Sequence, residues 1–277
     1  MLLLEIENPL FYKCFNGFLV ILFVFFLFKL TQRLYYRMFN KSLYIHFYPF
    51  RKKMSANDKA YLTTSFKFYR NLTPKRKLYF EHRVITFIAH KEFIGRKELE
   101  VTHEMQLLIA ATAVMLTFGM KSYLIQILER IIIYPKAFYS TTNDADHKGE
   151  FNPKLNAIVF SWEDFLKGYE IENDNLNLGI HEFTHAIHFN SLSENHYSSK
   201  IFKKSFINLT TFLSQNEALR KELIASKYFR DYAFTNQFEF LAVIIENFIE
   251  TPLEFKSHFP SLYKQVKQLL NFNFSKY

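Results

Sequence analysis

Two histidines four positions apart, with a glutamate directly after the first, form the segment that constrains local structure most. The segment reads His181-Glu182-Phe183-Thr184-His185. Side chains four positions apart on an α-helix lie on one face, one turn apart, so a helix here lets both imidazoles reach one Zn²⁺ ion. Glu182 then lies beside the water that such an ion activates. The pattern predicts a helix carrying a metal site suited to hydrolysis.

A third metal ligand must be found elsewhere, because a catalytic zinc ion commonly has three protein ligands and one exchangeable water. Glu239 and Glu246 are the best candidates on pattern, since both lie on one face of a helix predicted from about residue 236 to residue 250. A carboxylate on such a mostly apolar helix requires a partner. The single cysteine, Cys14, excludes a cysteine-based zinc site and any intramolecular disulfide.

An apolar run near the N-terminus predicts a membrane span. Phe18 to Phe28 are eleven uninterrupted apolar residues, and the run extends from Cys14 to Leu30 if a few polar residues are included. A helix of the longer length measures about 25 Å, slightly less than the hydrocarbon core of about 30 Å. Lys13 and Lys29 at its ends can close that gap by reaching the interface. The alternative of an apolar core helix is disfavoured, because a run with no polar face would have to be buried on all sides.

The alternative to an uncleaved anchor is a cleaved signal peptide. Such a peptide begins with a basic segment and ends at a small-residue cleavage site. Here the leading residues include Glu5 and Glu7, and no such site follows Leu30. The sequence therefore favours an anchor that stays attached.

The positive charge of the chain is concentrated directly after the apolar run. From Lys29 to Lys77 there are thirteen lysines and arginines against the single acidic residue Asp58. Charge in this position is typical of a juxtamembrane segment facing anionic lipid, whereas a nucleic-acid-binding domain carries it on the folded body. Nucleic acid is therefore not expected as a partner. The positive-inside rule predicts a single-pass protein whose body lies in the cytoplasm.

The rest of the chain predicts one helix-rich α+β domain with a small sheet. Caps at Thr73 and Thr102 begin two helices, and a third helix is expected from about Asn177 to Phe189. Ile131 to Tyr134 and Ala157 to Trp162 are predicted strands, and Ser140 to Asn156 between them is predicted to be a long surface loop. The predicted divisions are a membrane anchor (1–31), a basic juxtamembrane linker (32–59) and the folded domain (60–277).

Together these segments resemble the zinc-dependent peptidases related to Mlc titration factor A, which share their catalytic arrangement with the anthrax lethal factor metalloprotease domain. The resemblance covers roughly residues 60 to 270. The matching segments are Phe87 to Gly95, Glu104 to Ala111, Tyr134-Pro135, Ser161-Trp162, Asn177 to His185, Glu239 to Val243 with Glu246, and Pro252 to Tyr263. The resemblance implies a zincin-like metallopeptidase domain that acts on a peptide or protein.

The resemblance also implies roles for individual residues. Glu239 takes the position of the third zinc ligand, and Tyr232 that of the tyrosine assisting at the transition state. Glu246 matches a recurring glutamate expected to orient a metal-bound imidazole. His188 departs from the family, which usually has an acidic residue three positions after the second histidine. We expect His188 to have a hydrogen-bonding or core role beside the site.

The expected function is that of a membrane-anchored zinc metallopeptidase of the gluzincin type. Glu182 is the expected general base, and an extended peptide could pair with the strand at Ala157 to Trp162 if that strand is a sheet edge. The alternative is a zinc-containing regulatory protein that sequesters a transcriptional regulator or another partner at the membrane. This alternative follows from the repressor after which the resembled family is named.

Overall fold

In the computed structural model, which describes residues 9–140, 145–171 and 173–274, the chain divides into two compact units, Met1–Leu43 and Tyr44–Tyr277. The first unit consists mainly of helix α1 (Pro9–Phe39). Its segment Leu10–Phe39 is long and apolar enough to cross a membrane, and no part of the most apolar 18-residue stretch in it is buried. By length and composition α1 is a candidate membrane span. It continues beyond residue 31, where the anchor was predicted to end.

The second unit begins at Tyr44, inside the segment predicted to be a linker, and contains the remaining helices and strands. Residues 44–55 of this unit form neither helix nor strand. The helices are α2 (Ala56–Ser65), α3 (Lys67–Arg70), α4 (Pro74–Ala89), α5 (His103–Leu116), α6 (Trp162–Glu170), α7 (Leu178–Ser193), α8 (Tyr197–Gln215), α9 (Glu217–Ala225), a 3₁₀ helix (Asp231–Phe234), α10 (Gln237–Glu250), α11 (Pro252–His258) and α12 (Pro260–Leu269). The predicted helix-rich α+β class is confirmed.

The described strands form a mixed four-stranded sheet and a separate two-stranded sheet. The strands are β1 (Glu92–Gly95), β2 (Arg130–Tyr134), β3 (Phe138–Ser140), β4 (Ala145–His147), β5 (Gly149–Asn152) and β6 (Ala157–Ser161). The four-stranded sheet has the order β1-β2-β6-β5, while β3 and β4 form a separate pair. β1, β2 and β6 are parallel, and β5 runs antiparallel to β6. The antiparallel strand β5 is therefore an edge of the sheet.

The position of β6 corrects one expectation from the sequence. All five residues of β6 are buried, as is typical of a strand covered on both faces, and β6 lies between β2 and β5. It is not an edge and cannot accept an added strand. The segment from Ser140 to Asn156 is also not a simple loop, because it contains the last residue of β3 and all of β4 and β5. Residues 141–144 of that segment lie outside the described residues.

The core of the second unit surrounds α5 and α7. Eleven of the fourteen residues of α5 are buried, and so are eleven of the sixteen residues of α7. Both helices are capped at their N-termini, where the side chain of Thr102 accepts from Met105 N and that of Asn177 accepts from Ile180 N. α7 packs against α5, α8, α10 and strands β5 and β6. This packing fixes the helix that carries the paired histidines.

Candidate metal centre

Three side chains from two helices bring their ligand atoms together. His181 Nε2 and His185 Nε2 on α7 lie 3.1 Å apart, and Glu239 Oε2 on α10 lies 2.9 Å from the first and 3.6 Å from the second. Ligand atoms around a tetrahedral ion with bonds of about 2.0–2.1 Å are about 3.3 Å from one another. The three atoms are therefore spaced as a small tetrahedral ion requires, and among the described residues they form a candidate metal-binding group.

The start of α10 places Glu239 in this group. Asn236 is the N-cap of α10, and its side chain accepts hydrogen bonds from Phe238 N and Glu239 N. Glu239 thus lies in the first turn of the helix, where the helix dipole favours a negative charge. Burial opposes ionisation of Glu239, but the adjacent imidazoles of His181 and His185 outweigh it and hold the pKa of this carboxyl well below its usual range.

His181 lies between two carboxylates. Its Nε2 faces Glu239, and its Nδ1 lies 2.8 Å from Oε1 of Glu246, whose side chain is 1 % exposed. Burial acts to lower the pKa of His181, but the adjacent carboxylates of Glu239 and Glu246 outweigh it and raise the pKa to about 10. An Nδ1–H that donates to Glu246 leaves Nε2 as the ligand atom, which is the usual arrangement for a metal-bound histidine.

Arg230 holds Glu246 in place with two hydrogen bonds. Its Nη2 donates to Glu246 Oε1 at 2.8 Å and its Nη1 donates to Glu246 Oε2 at 3.0 Å. The same Nη1 donates to the backbone oxygen of Asn175 at 2.8 Å, and Glu246 Oε2 also accepts from Asn177 N at 3.0 Å. Arg230 therefore joins the support of His181 to the segment that leads into α7.

Glu182 is buried beside the ligand group and is held by the edge strand. Its Oε2 accepts a hydrogen bond of 2.8 Å from Phe151 N on β5. Burial raises the pKa of Glu182, although the nearby histidines act in the opposite direction. Gly149 on β5 makes room for this side chain, since an added Cβ would lie 3.0 Å from Glu182 Cγ and 3.1 Å from its Oε1. The same Cβ would lie 2.5 Å from Leu178 Cδ1, so an alanine at this position would crowd both Glu182 and Leu178.

Tyr232 faces the same group from the 3₁₀ helix. Its ring centroid lies 6.0 Å from that of His181, and its side chain is about half exposed. Burial, together with the nearby carboxylate of Glu239, raises the pKa of Tyr232 to about 12. The phenol therefore stays protonated at neutral pH and can act as a hydrogen-bond donor.

His188 lies outside the three-ligand group, among aromatic rings. Its ring centroid is 4.7 Å from that of Phe206 and 5.0 Å from that of Phe238. Among the described residues its buried Nδ1 has no hydrogen-bond partner. Burial, followed by the charge of His185, lowers the pKa of His188 to about 4, so the ring is neutral near pH 7.

The sequence predictions named every side chain of this centre except Arg230, and they also missed the backbone donor Phe151 and the space at Gly149. Arg230 precedes Tyr232 by two positions, but nothing in the chain marks it among the other arginines. The contact of Phe151 with Glu182 joins residues thirty-one positions apart and involves only a backbone group of Phe151. No side-chain pattern could have indicated it.

Comparisons with known proteins agree with this geometry. The sequence model of the glucose-regulated metallopeptidases M90 matches residues 49–270. The chain is also 24 % identical over 233 residues to uncharacterized protein slr2042 of Synechocystis sp., a match that covers 79 % of this chain and 85 % of the relative. The resemblance to the peptidases related to Mlc titration factor A is confirmed, and the chain belongs to the glucose-regulated metallopeptidase family M90.

Proposed function

We propose that this protein is a zinc metallopeptidase anchored in the membrane by α1. The observation that carries the proposal is the spacing of His181 Nε2, His185 Nε2 and Glu239 Oε2, at 2.9 to 3.6 Å from one another. Two imidazole nitrogens and one carboxylate oxygen are a donor set typical of catalytic zinc. When bound there, the ion would lower the pKa of a water molecule and polarise the scissile carbonyl.

Glu182 is the proposed general base. Its carboxylate takes a proton from the attacking water and returns it to the departing amine. The hydrogen bond from Phe151 N fixes the carboxylate in position, and the burial that raises its pKa makes it a better proton acceptor. Tyr232 donates a hydrogen bond to the oxygen on which negative charge develops.

An extended peptide is the proposed substrate, and the edge strand β5 is the element that would hold it. Strand addition requires an edge, which β5 provides. Because Phe151 of β5 also contacts Glu182, a peptide along that edge passes close to the base. The complete set of ligands and base favours catalysis over the alternative of a regulator that only binds its partner.

Substitution of Glu182 by glutamine tests the assignment of the base. Glutamine keeps the size of the side chain and an oxygen that can accept from Phe151 N, but it does not take up a proton at neutral pH. The Glu182→Gln protein should retain its metal and lose hydrolysis of an unfolded protein substrate such as casein by at least about a hundredfold. Cleavage at the rate of the unmodified protein, with metal bound, would rule out Glu182 as the base.

We propose that the second unit, Tyr44–Tyr277, which we call the catalytic unit, lies on the cytoplasmic side of the membrane. The basic residues after α1 support this orientation by the positive-inside rule. The division into anchor, basic linker and catalytic domain remains part of the proposal. Protease protection in sealed vesicles of known orientation tests it, because the catalytic unit should be digested only from the cytoplasmic face.

A further inference from the structure

Two phenylalanines of the catalytic unit are highly exposed and are followed in the sequence by three consecutive basic residues. Phe47 is 71 % exposed and Phe50 is 93 % exposed. Arg51, Lys52 and Lys53 follow directly, and all three are exposed. A single exposed apolar side chain is common on protein surfaces, whereas exposed apolar side chains grouped beside charged ones mark a surface that contacts a partner. We refer to residues 44–53 as the aromatic-basic loop.

The buried arginine Arg83 fixes the backbone of this loop. Arg83 is fully buried, and it donates to the backbone oxygen of Ile45 at 3.2 Å and to the hydroxyl of Tyr48 at 2.6 Å. Lys121 Nζ donates to the hydroxyl of Tyr44 at 2.6 Å. These contacts attach the loop to the catalytic unit from its beginning.

Phe47 lies between two residues of the loop that pack against the catalytic unit. The ring of His46 stacks on Tyr79 with centroids 4.8 Å apart, and the ring of Tyr48 lies 4.3 Å from that of His82. Phe47, between these two half-buried residues, is turned to the solvent. With its neighbours held inward, Phe47 stays on the outer surface.

The positive charge of the loop has no acidic counterpart nearby in the sequence. Asp58 is the only acidic residue from Lys29 to Lys77, and it pairs with His103 at 3.0 Å. A surface that combines exposed aromatic rings with exposed cations fits an anionic lipid bilayer, where the rings enter the interface and the cations meet the headgroups. Each cation near such a surface favours the bound state by about fivefold.

We propose that the aromatic-basic loop docks the catalytic unit onto an anionic lipid bilayer, as a second membrane contact besides α1. The inference rests on the proposed function only in that α1, as an anchor, would keep the loop close to the membrane. Phe47 follows the last residue of α1, Phe39, by eight positions, so the chain between them spans at most about 28 Å. This continuity with a membrane-length helix favours lipid over nucleic acid as the partner of the cations.

Site-specific fluorescence on the full chain tests the proposal. Cys14 is the only cysteine, so Cys14→Ser gives a background in which Phe50→Cys, Leu253→Cys and Val24→Cys can each carry one environment-sensitive NBD label. Leu253 is 74 % exposed on α11 and serves as the matched surface control, while Val24 on α1 reports the anchor. Each protein is reconstituted in vesicles of phosphatidylcholine alone or mixed with phosphatidylglycerol.

We expect the label at residue 50 to shift to shorter wavelength in the anionic vesicles and to lose emission when doxyl-labelled lipid is present. The emission of the label at residue 253 should keep the wavelength and intensity that it has in water. Replacing Arg51, Lys52 and Lys53 together by glutamate should abolish the shift at residue 50 without changing the signal at residue 24.

If the labels at residues 50 and 253 both emitted as in water in both kinds of vesicle, docking of the loop would be overturned. A label at residue 24 that emits as in lipid would in that case still support the anchor. An aqueous label at residue 24 would instead overturn the anchor, and the shift at residue 50 would still decide docking. A shift at residue 50 produced by single-stranded DNA but not by anionic vesicles would overturn lipid as the partner.

Discussion

Arg230→Gln is the substitution that most directly probes how the candidate centre is held together. Arg230 makes two hydrogen bonds to Glu246, and Glu246 in turn contacts His181 Nδ1 at 2.8 Å. The substitution leaves all three proposed metal ligands in place. It removes the positive charge that keeps a nearly fully buried carboxylate aligned with the imidazole.

The expected magnitude follows from these contacts. Hydrogen bonds to charged groups contribute about 1.5–3 kcal/mol each. The side chain of Arg230 is 28 % exposed, so water compensates part of the loss. We expect the free energy of unfolding of the metal-free protein to fall by about 2–4 kcal/mol. Loss of an outer partner of a metal ligand typically weakens metal affinity by about 10- to 100-fold, and we expect this range for zinc.

Zinc affinity is measured by competition with a chromophoric chelator, and stability by denaturant unfolding of the metal-free protein. Arg220→Gln is the matched control, because half-buried Arg220 donates to the backbone oxygens of Leu213 and Ser214 and stabilises the end of α8 instead. It should lose stability without losing zinc affinity. Arg230→Lys should recover part of the affinity, since lysine restores the charge but not the paired geometry.

Two results would refute this reasoning. If Arg230→Gln bound zinc as tightly as the unmodified protein, the contact of Arg230 with Glu246 would have no role in holding His181. If Arg220→Gln weakened zinc binding equally, the effect would be a general consequence of lower stability.

Three further predictions concern the same centre. Gly149→Ala should lower kcat by about 10- to 100-fold with little change in zinc affinity, because the new Cβ crowds Leu178 and Glu182 and should shift the Glu182 carboxylate. An unchanged kcat in steady-state assays would contradict this prediction. His188→Leu should leave zinc affinity within about threefold and keep or raise Tm, because it removes a buried nitrogen without a partner; loss of zinc in a chelator titration would make His188 a ligand. The free energy of unfolding of the metal-free protein should fall as pH rises from about 6.5 to about 10. The folded state holds the proton of His181 more tightly than the unfolded state does, so this stabilisation is complete below pH 6.5 and is lost as pH rises through about 10. Zinc binding should accordingly release a proton, so apparent affinity should rise with pH, and calorimetry in buffers of different ionisation enthalpy counts that proton.

The elements that carry the proposed ligands were predictable because their signals are local. The histidine spacing and the caps at Asn177 and Asn236 lie within one or two helical turns of the residues they position. A local pattern needs no knowledge of which distant segments meet. For this reason α7 and α10 were placed within a few residues of their observed bounds.

Strand β5 was missed because its residues have little strand propensity of their own. Gly149-Glu150-Phe151-Asn152 contains one aromatic residue among glycine and polar residues, and it becomes a strand by pairing with β6. The pairing also decides which strand is the edge. The sequence therefore indicated a polar loop where the structure has the strand that contacts Glu182.

Contacts between distant segments account for the remaining differences. Arg230 meets Glu246 and the segment before α7, and a single sequence contains no record of such pairing. The aromatic-basic loop is likewise held by Arg83, a buried charge that composition places on the surface. Tyr232 was identified only through the resemblance to a family.

Metal binding by the purified full-length protein and three variants tests the central claim most directly. The protein should bind one zinc ion, as measured by elemental analysis, and Glu182→Gln should bind it equally. Glu246→Ala should lower the affinity by about 10- to 100-fold, and Glu239→Ala by more, because it removes a ligand. Full zinc affinity in Glu239→Ala together with loss of zinc in Glu246→Ala would contradict the assignment of the third ligand.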